Sequence, residues 1–119
     1  RYLQLVYILM ANNYKQVLTT LTSTDATSVY TVPDDKVAIV KTLSAYNVDG
    51  SSAMTLTVQV TDTSASATVT WDIESIAATT RKGFLTNGEV LVLDESDIIK
   101  LTASTADKFH IVIGVLETD

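Results

Sequence analysis

The chain is 119 residues long, carries a formal charge of -6, and contains one histidine and no cysteine. That length fits a single domain able to bury a core without covalent staples, and the missing thiols exclude a disulfide framework or a thiolate metal site. The acidic balance repels phosphate backbones and argues against nucleic acid as a partner, and no run reaches the ~20 apolar residues of a membrane-spanning helix.

Nineteen Thr, 14 Val and 8 Ile make 41 of the 119 residues β-branched. Such side chains are stiff at χ1 and pack well on a pleated surface, so the composition favours sheet over helix. No apolar pattern of helical period persists for three turns, whereas period-2 alternation recurs.

The first ten residues hold eight apolar or aromatic side chains, from Tyr2 to Met10. Met10-Ala11-Asn12-Asn13 looks like an ordinary protein start preceded by extra translated residues; the other reading is the end of a signal peptide with Arg1 as its basic flank. Residues 1–14 are read as an apolar arm or extra strand and residues 15–119 as the β domain. Residues 2–10 are expected to lie along another chain, a sister subunit or a shell, by strand addition at an open sheet edge.

Lys15 to Leu21 and Thr27 to Val32 read as two short strands joined by the turn Thr22-Ser23-Thr24-Asp25. Pro33-Asp34-Asp35 breaks the sheet, because Pro cannot donate to a ladder. A long strand from Lys36 to Val48 ends at Asp49-Gly50, a strong turn dipeptide. From Ala53 to Asp62 the alternation is clean, with Met54, Leu56, Val58 and Val60 on one side. The next strand repeats it, placing Ala67, Val69, Trp71 and Ile73 opposite Thr68, Thr70, Asp72 and Glu74. Together these two strands predict an antiparallel hairpin.

A less regular stretch from Ala77 to Phe84 leads to the turn signal Asn87-Gly88. Glu89 to Leu93, Ile98 to Ala103 and Lys108 to Leu116 read as strands, with a turn at Asp94–Asp97. The expected fold is therefore an all-β, single antiparallel sandwich, jelly-roll-like, of about eight strands. Two strands are apolar on both faces. In the last, Val112 and Leu116 oppose Phe109, Ile111, Ile113 and Val115, and Val90-Leu91-Val92-Leu93 behaves likewise. A two-layer sandwich needs only one apolar face per strand, so the second face calls for cover from the N-terminal segment, a loop or another subunit. The interface residues expected on this basis are Leu3, Leu5, Tyr7, Leu9, Val112 and Leu116.

Residues that could carry chemistry are few. His110 lies in the last strand between Phe109 and Ile111, where a half-buried or interface role fits better than catalysis. Asp94, Glu95 and Asp97 could offer hard oxygen ligands to Ca²⁺ on a turn, yet their spacing does not match an EF-hand loop. Asp chosen for local backbone hydrogen bonds explains them equally well, and Asp34-Asp35 has the same two readings. No G-x-S-x-G elbow, S-x-x-K or glycine-rich phosphate loop occurs. Asp72 and Glu74 stand roughly 7 Å apart along one strand, a spacing found on any polar strand face. Trp71 alternates with Val69 and Ile73 and reads as core. No catalytic residue, cofactor or metal is expected.

Two stretches carry a family likeness. One is Val29-Tyr30-Thr31-Val32-Pro33 with Val37-Ala38-Ile39-Val40-Lys41 and a Thr/Val hairpin ending Val60-Thr61-Asp62. The other is Leu91-Val92-Leu93 with Asp97-Ile98-Ile99-Lys100-Leu101-Thr102-Ala103-Ser104 and a last strand closing on Val115-Leu116-Glu117. Over about residues 11 to 119 the chain resembles the small β-sandwich virion structural proteins of tailed bacteriophages, cyanophage-like ones in particular; residues 1–9 depart from the pattern. The resemblance implies a repeated virion component and no catalytic residue. Its first form is a capsid decoration or cement subunit, a homo-oligomer (a homotrimer) bound to the major capsid protein or other virion proteins. A tail, neck or baseplate adaptor, or a receptor-binding component using loops such as Asp49 to Ala53, is the second. A non-viral β-sandwich binding module or carbohydrate-active domain is the reading from a different class.

Overall fold

A computed structural model of the protein describes residues 12–119. In chain order its strands are β1 (Asn13–Thr20), β2 (Thr27–Thr31), β3 (Val37–Asn47), β4 (Met54–Asp62), β5 (Ala67–Ile76), β6 (Arg81–Gly83), β7 (Leu91–Leu93), β8 (Ile98–Ala103) and β9 (Phe109–Thr118). No helix occurs among the described residues. Sheet A has the order β1-β9-β3-β6, with β7 pairing the first part of β3 where β6 pairs its end. Sheet B has the order β2-β8-β4-β5. All pairings are antiparallel.

The path between sheets makes this a jelly roll. β1 and β2 do not pair across their turn; β1 joins β9 in sheet A and β2 joins β8 in sheet B. The chain crosses again from β2 to β3 and from β3 to β4, so most ladders close between distant segments. β4 and β5 are the exception, a hairpin read correctly from the alternation. Its turn is held by the Asp62 carboxylate, which accepts the Ser64 and Ala65 amides. At Asn87-Gly88 both residues have positive φ, 58° and 77°, and the Glu89 amide reaches the Thr86 carbonyl at 3.1 Å. That is the type I′ geometry which Asn-Gly favours.

The core fills the space between the sheets. From sheet A come Ala38, Val40, Leu43, Ala45, Phe109, Ile111, Ile113 and Val115, and from sheet B Leu56, Val58, Ile99, Leu101 and Ala103. The odd-numbered side of β9 faces inward throughout, as its alternation required. In β3 a register shift between Val40 and Thr42 puts Lys41 outside the ladder count. Val40 and Leu43 can then both face the core although they are three residues apart, as a β-bulge allows.

A second bulge corrects the reading of β5. Thr70 pairs with Gln59 and Asp72 with Val58, leaving Trp71 as the extra residue. Trp71 packs against the core, as expected. Beyond it the faces exchange: Asp72 and Glu74 share the inward side of Val58 and Leu56, while Ile73 pairs outward with Thr57 and is 59% exposed. Val69 is exposed to the same extent, because β5 is the edge of its sheet. The inward carboxylate is not idle, since Glu74 meets Lys82 of β6 at 3.7 Å across the open side of the sandwich. β6 itself lies in the stretch read as irregular. Three residues with only Arg, Lys and Gly carry no strand signal, and pairing with Ser44–Tyr46 makes them one. The strand expected from Glu89 to Leu93 is shorter, starting at Leu91.

Candidate functional site

No pocket is found among the described residues, and the candidate site is a surface that the strand registers define. On the outward side of sheet A, Tyr14 pairs with Leu116, Leu116 with Ile39, and Ile39 with Val92. These four side chains form one apolar row across β1, β9, β3 and β7. Four pairs further along β1, past Gln16 and Gly114 on the same side, Leu18 stands beside Val112. Tyr14 is 74% exposed, Leu18 65% and Val92 63%. Beyond them lies a polar row, Thr20, His110, Tyr46 and Arg81. His110 is thus an exposed face residue rather than a half-buried one.

The outward side of sheet B differs in kind. Thr102, Thr57 and Ile73 form one row, Lys100, Gln59 and Thr70 another, and Ile98, Thr61 and Thr68 a third. Threonines dominate, and neighbours bond one another, as Thr61 and Thr68 do at 2.8 Å. A face made of hydroxyls is content in water; a row of Tyr, Leu, Ile and Val is not. The two outer faces of one sandwich therefore differ in polarity.

Of the interface residues expected from sequence, Val112 and Leu116 lie on the apolar face, Val112 exposed and Leu116 half-buried. Leu3, Leu5, Tyr7 and Leu9 lie outside the described residues. Sequence reasoning named Val112 and Leu116 but missed Tyr14, Leu18 and Ile39, which join them only when β1 and β3 flank β9. Val92 was in view as part of a doubly apolar strand.

The acidic turn is occupied by its own backbone. The Asp97 carboxylate accepts the Asp94 amide at 2.9 Å, Asp94 accepts the Glu95 amide, and Glu95 accepts the Asp35 amide at 2.9 Å from the turn after Pro33. Among the described residues no group of three or more His, Asp or Glu side chains converges as a metal site would require.

Polar side chains instead tie the sheets together. Glu117, on the inward side of β9, is only 1% exposed. It accepts the Tyr30 hydroxyl of β2 at 2.6 Å and faces the Lys15 ammonium of β1 at 3.2 Å. Burial first, then the hydrogen bond and charge of Glu117, hold the Tyr30 phenol well above its usual range. At the other end, the fully buried Asn47 donates to the carbonyls of Ile76 and Ser52 and accepts the Asp49 amide. Position alone could have flagged both, since Glu117 continues the inward series Ile113, Val115 and Asn47 continues Leu43, Ala45.

Asp49 gives a pH-dependent prediction. The Ser52 and Ser51 amides, then the Lys108 ammonium at 3.1 Å, lower its carboxyl from 3.8 to about 2. A depressed carboxyl adds stability that is fully present above its unfolded value, near 3.8, and is lost as pH falls through about 2. Melting curves taken between pH 5 and pH 2 are expected to show the Asp49→Asn variant less stable at pH 5, with the gap closing towards pH 2. A gap that stays constant would show that the carboxylate charge is not what the loop uses.

No protein-family model and no curated protein matches the sequence. Eight chains among solved structures are similar in fold. One belongs to the disulfide-linked pili that form Bacillus endospore appendages; it is 12% identical, with a TM-score of 0.51 over 92% of this chain and 87% of that one. Another is from the virus-like particle of the extra small virus of the giant freshwater prawn Macrobrachium rosenbergii, 14% identical, with a TM-score of 0.47 over 92% and 79% of the two chains. The first likeness is one of fold alone.

Proposed function

We propose that the chain is a non-enzymatic structural subunit of an assembled particle, in its most specific form a decoration or cement protein on a tailed-phage capsid. One observation carries this reading: the outward side of sheet A carries an apolar row four strands wide, with Leu18 and Val112 further along it, while the outward side of sheet B is dominated by threonines. A face with an apolar row four strands wide gains about 25 cal/mol per Å² on leaving water, before association costs are subtracted. The same fold serves as a subunit of pili in the Bacillus appendages, so it is compatible with polymeric assembly. The partners on this reading are other copies, in a homotrimer, and the major capsid protein. A subunit that binds only the assembled lattice stabilises it by mass action.

The test reads association and fold separately. Leu18→Glu and Val92→Glu alter exposed side chains, so each is expected to leave stability within about 0.5 kcal/mol of the parent. Light scattering at high micromolar concentration is expected to show an oligomer for the parent chain and a monomer for both variants. A monomeric parent, with no partner added, would remove the proposal. Copy number in purified particles then separates the shell from a tail, neck or baseplate position: a shell protein occurs at lattice stoichiometry, an adaptor in a handful of copies.

A further inference from the structure

Asp49-Gly50 and Asn87-Gly88 each place glycine after a short side chain that ends in a carbonyl carbon. In such a pair the glycine nitrogen can attack that carbon and close a five-membered cyclic imide, because glycine has no Cβ to crowd the approach. The fold treats the two pairs in opposite ways.

Asp49 is engaged. Its carboxylate accepts the Ser51 and Ser52 amides at 3.1 and 2.6 Å and faces the Lys108 ammonium at 3.1 Å. The two amides first, and then Lys108, hold its carboxyl at about 2. An ionised carboxylate resists attack by a nitrogen nucleophile.

Asn87 has no such protection. Residues 86–90 are all exposed, and residues 84–90 belong to no strand. The turn is closed by the bond from the Glu89 amide to the Thr86 carbonyl, while the Gly88 amide donates to no backbone carbonyl among the described residues. A Cβ built on Gly88 would meet nothing within 4 Å, so the space around its nitrogen is open. The other asparagines differ. Asn47 is fully buried, its side-chain amide is bonded to Ile76 and Ser52, and the Val48 amide that follows is bonded to the Lys108 carbonyl. Asn12 and Asn13 precede Asn13 and Tyr14, not glycine.

We infer that Asn87 is a site of spontaneous self-modification, at which the side-chain amide is lost as ammonia and an aspartyl or isoaspartyl residue is left. The Gly88 nitrogen gives its proton to water or hydroxide and bonds to Asn87 Cγ. The Cγ–Nδ2 bond breaks, and Nδ2 takes up a proton and leaves as ammonia. Water then opens the imide. Addition at Cγ gives aspartate; addition at the main-chain carbonyl carbon gives isoaspartate, joined to Gly88 through the side chain. One water is consumed for each ammonia released, with no change of oxidation state, and the chain becomes one charge more negative than -6.

The closed turn slows this only modestly. In the type I′ form the first central residue has ψ of about 30°, which points the next nitrogen away from Cγ, so the turn opens before the ring closes. One solvent-exposed hydrogen bond shifts that equilibrium by about fivefold. The inference is independent of the assembly reading.

The whole protein and a blocked peptide of residues Leu85–Val90 are held together at mildly alkaline pH, and samples are taken over time. Mass spectrometry of the tryptic fragment Gly83–Lys100 is expected to show hydroxyl in place of amino at residue 87, at a rate within about tenfold of the peptide's. Enzymatic methylation is expected to detect isoaspartate in the same fragment. Asn87→Gly, which keeps a residue at ease with positive φ, is expected to stop the conversion with the sheet spectrum unchanged. Conversion that begins at Asp49 or Asn47 would overturn the assignment. So would a protein in which Asn87 outlasts the peptide by more than about tenfold, because a single turn bond could not account for that protection.

Discussion

Glu117→Ala is expected to destabilise the fold by about 3 kcal/mol, which lowers the melting temperature by roughly 12 °C for a chain of this size. The carboxylate is almost completely buried and joins three strands from two sheets. Removing one partner of a buried charged cluster leaves the others desolvated and unpaired, at a cost in the range of about 3–5 kcal/mol. The lower end applies here because Lys15 is 46% exposed and can return to water. Tyr30 cannot, so its hydroxyl carries most of the loss. Glu117→Gln, which keeps the volume, separates the charge from the cavity and should cost less. A calorimetric scan that finds Glu117→Ala within 1 °C of the parent would show that the cluster is not a clamp.

The same cluster sets an alkaline limit. A phenol raised above 10 in the folded state contributes stability that is complete below pH 10 and is lost as pH rises above it. The parent is therefore expected to weaken in that window, and Tyr30→Phe to flatten the decline while costing some stability at neutral pH.

Asn47→Ala is expected to cost about 3 kcal/mol, the sum of three lost hydrogen bonds and the burial of the groups they satisfied. Its amide group joins the end of β3 in sheet A to the Ile76 carbonyl at the end of β5 in sheet B, at 2.9 Å. Its carbonyl holds the Asp49 amide, the start of the loop that carries Gly50 and Ser51. Truncation should therefore loosen two places at once. Hydrogen exchange is expected to quicken at Asp49 and Thr79, whose amide bonds the Asp49 carbonyl, before it quickens in β9. Uniform quickening across all strands would instead mean that Asn47 matters only to global stability.

Both residues illustrate how far the sequence can be read. The inward side of β9 is legible directly, because Phe109, Ile111, Ile113 and Val115 alternate without a break. Carrying that alternation one step on reaches Glu117, where chemistry and parity conflict. That conflict is the signal of a paired buried charge, and the residues that resolve it, Lys15 and Tyr30, lie 102 and 87 positions away in sequence. No local pattern connects them. The outer face was legible in the same partial way, through Val112 and Leu116 but without Tyr14, Leu18 and Ile39.

The sequence by itself determined the class of fold, the strands with regular alternation, the β4–β5 hairpin and the Asn87-Gly88 turn. Each depends on φ/ψ preference or on side-chain period within a few residues, and those are local properties. Only the tertiary structure decided which strands are neighbours, and so which outward residues merge into one apolar face. It also decided the orientation of Ile73, Asp72 and Glu74. A bulge inserts one residue against a partner strand, and the faces beyond it are fixed by that pairing rather than by the strand's own period.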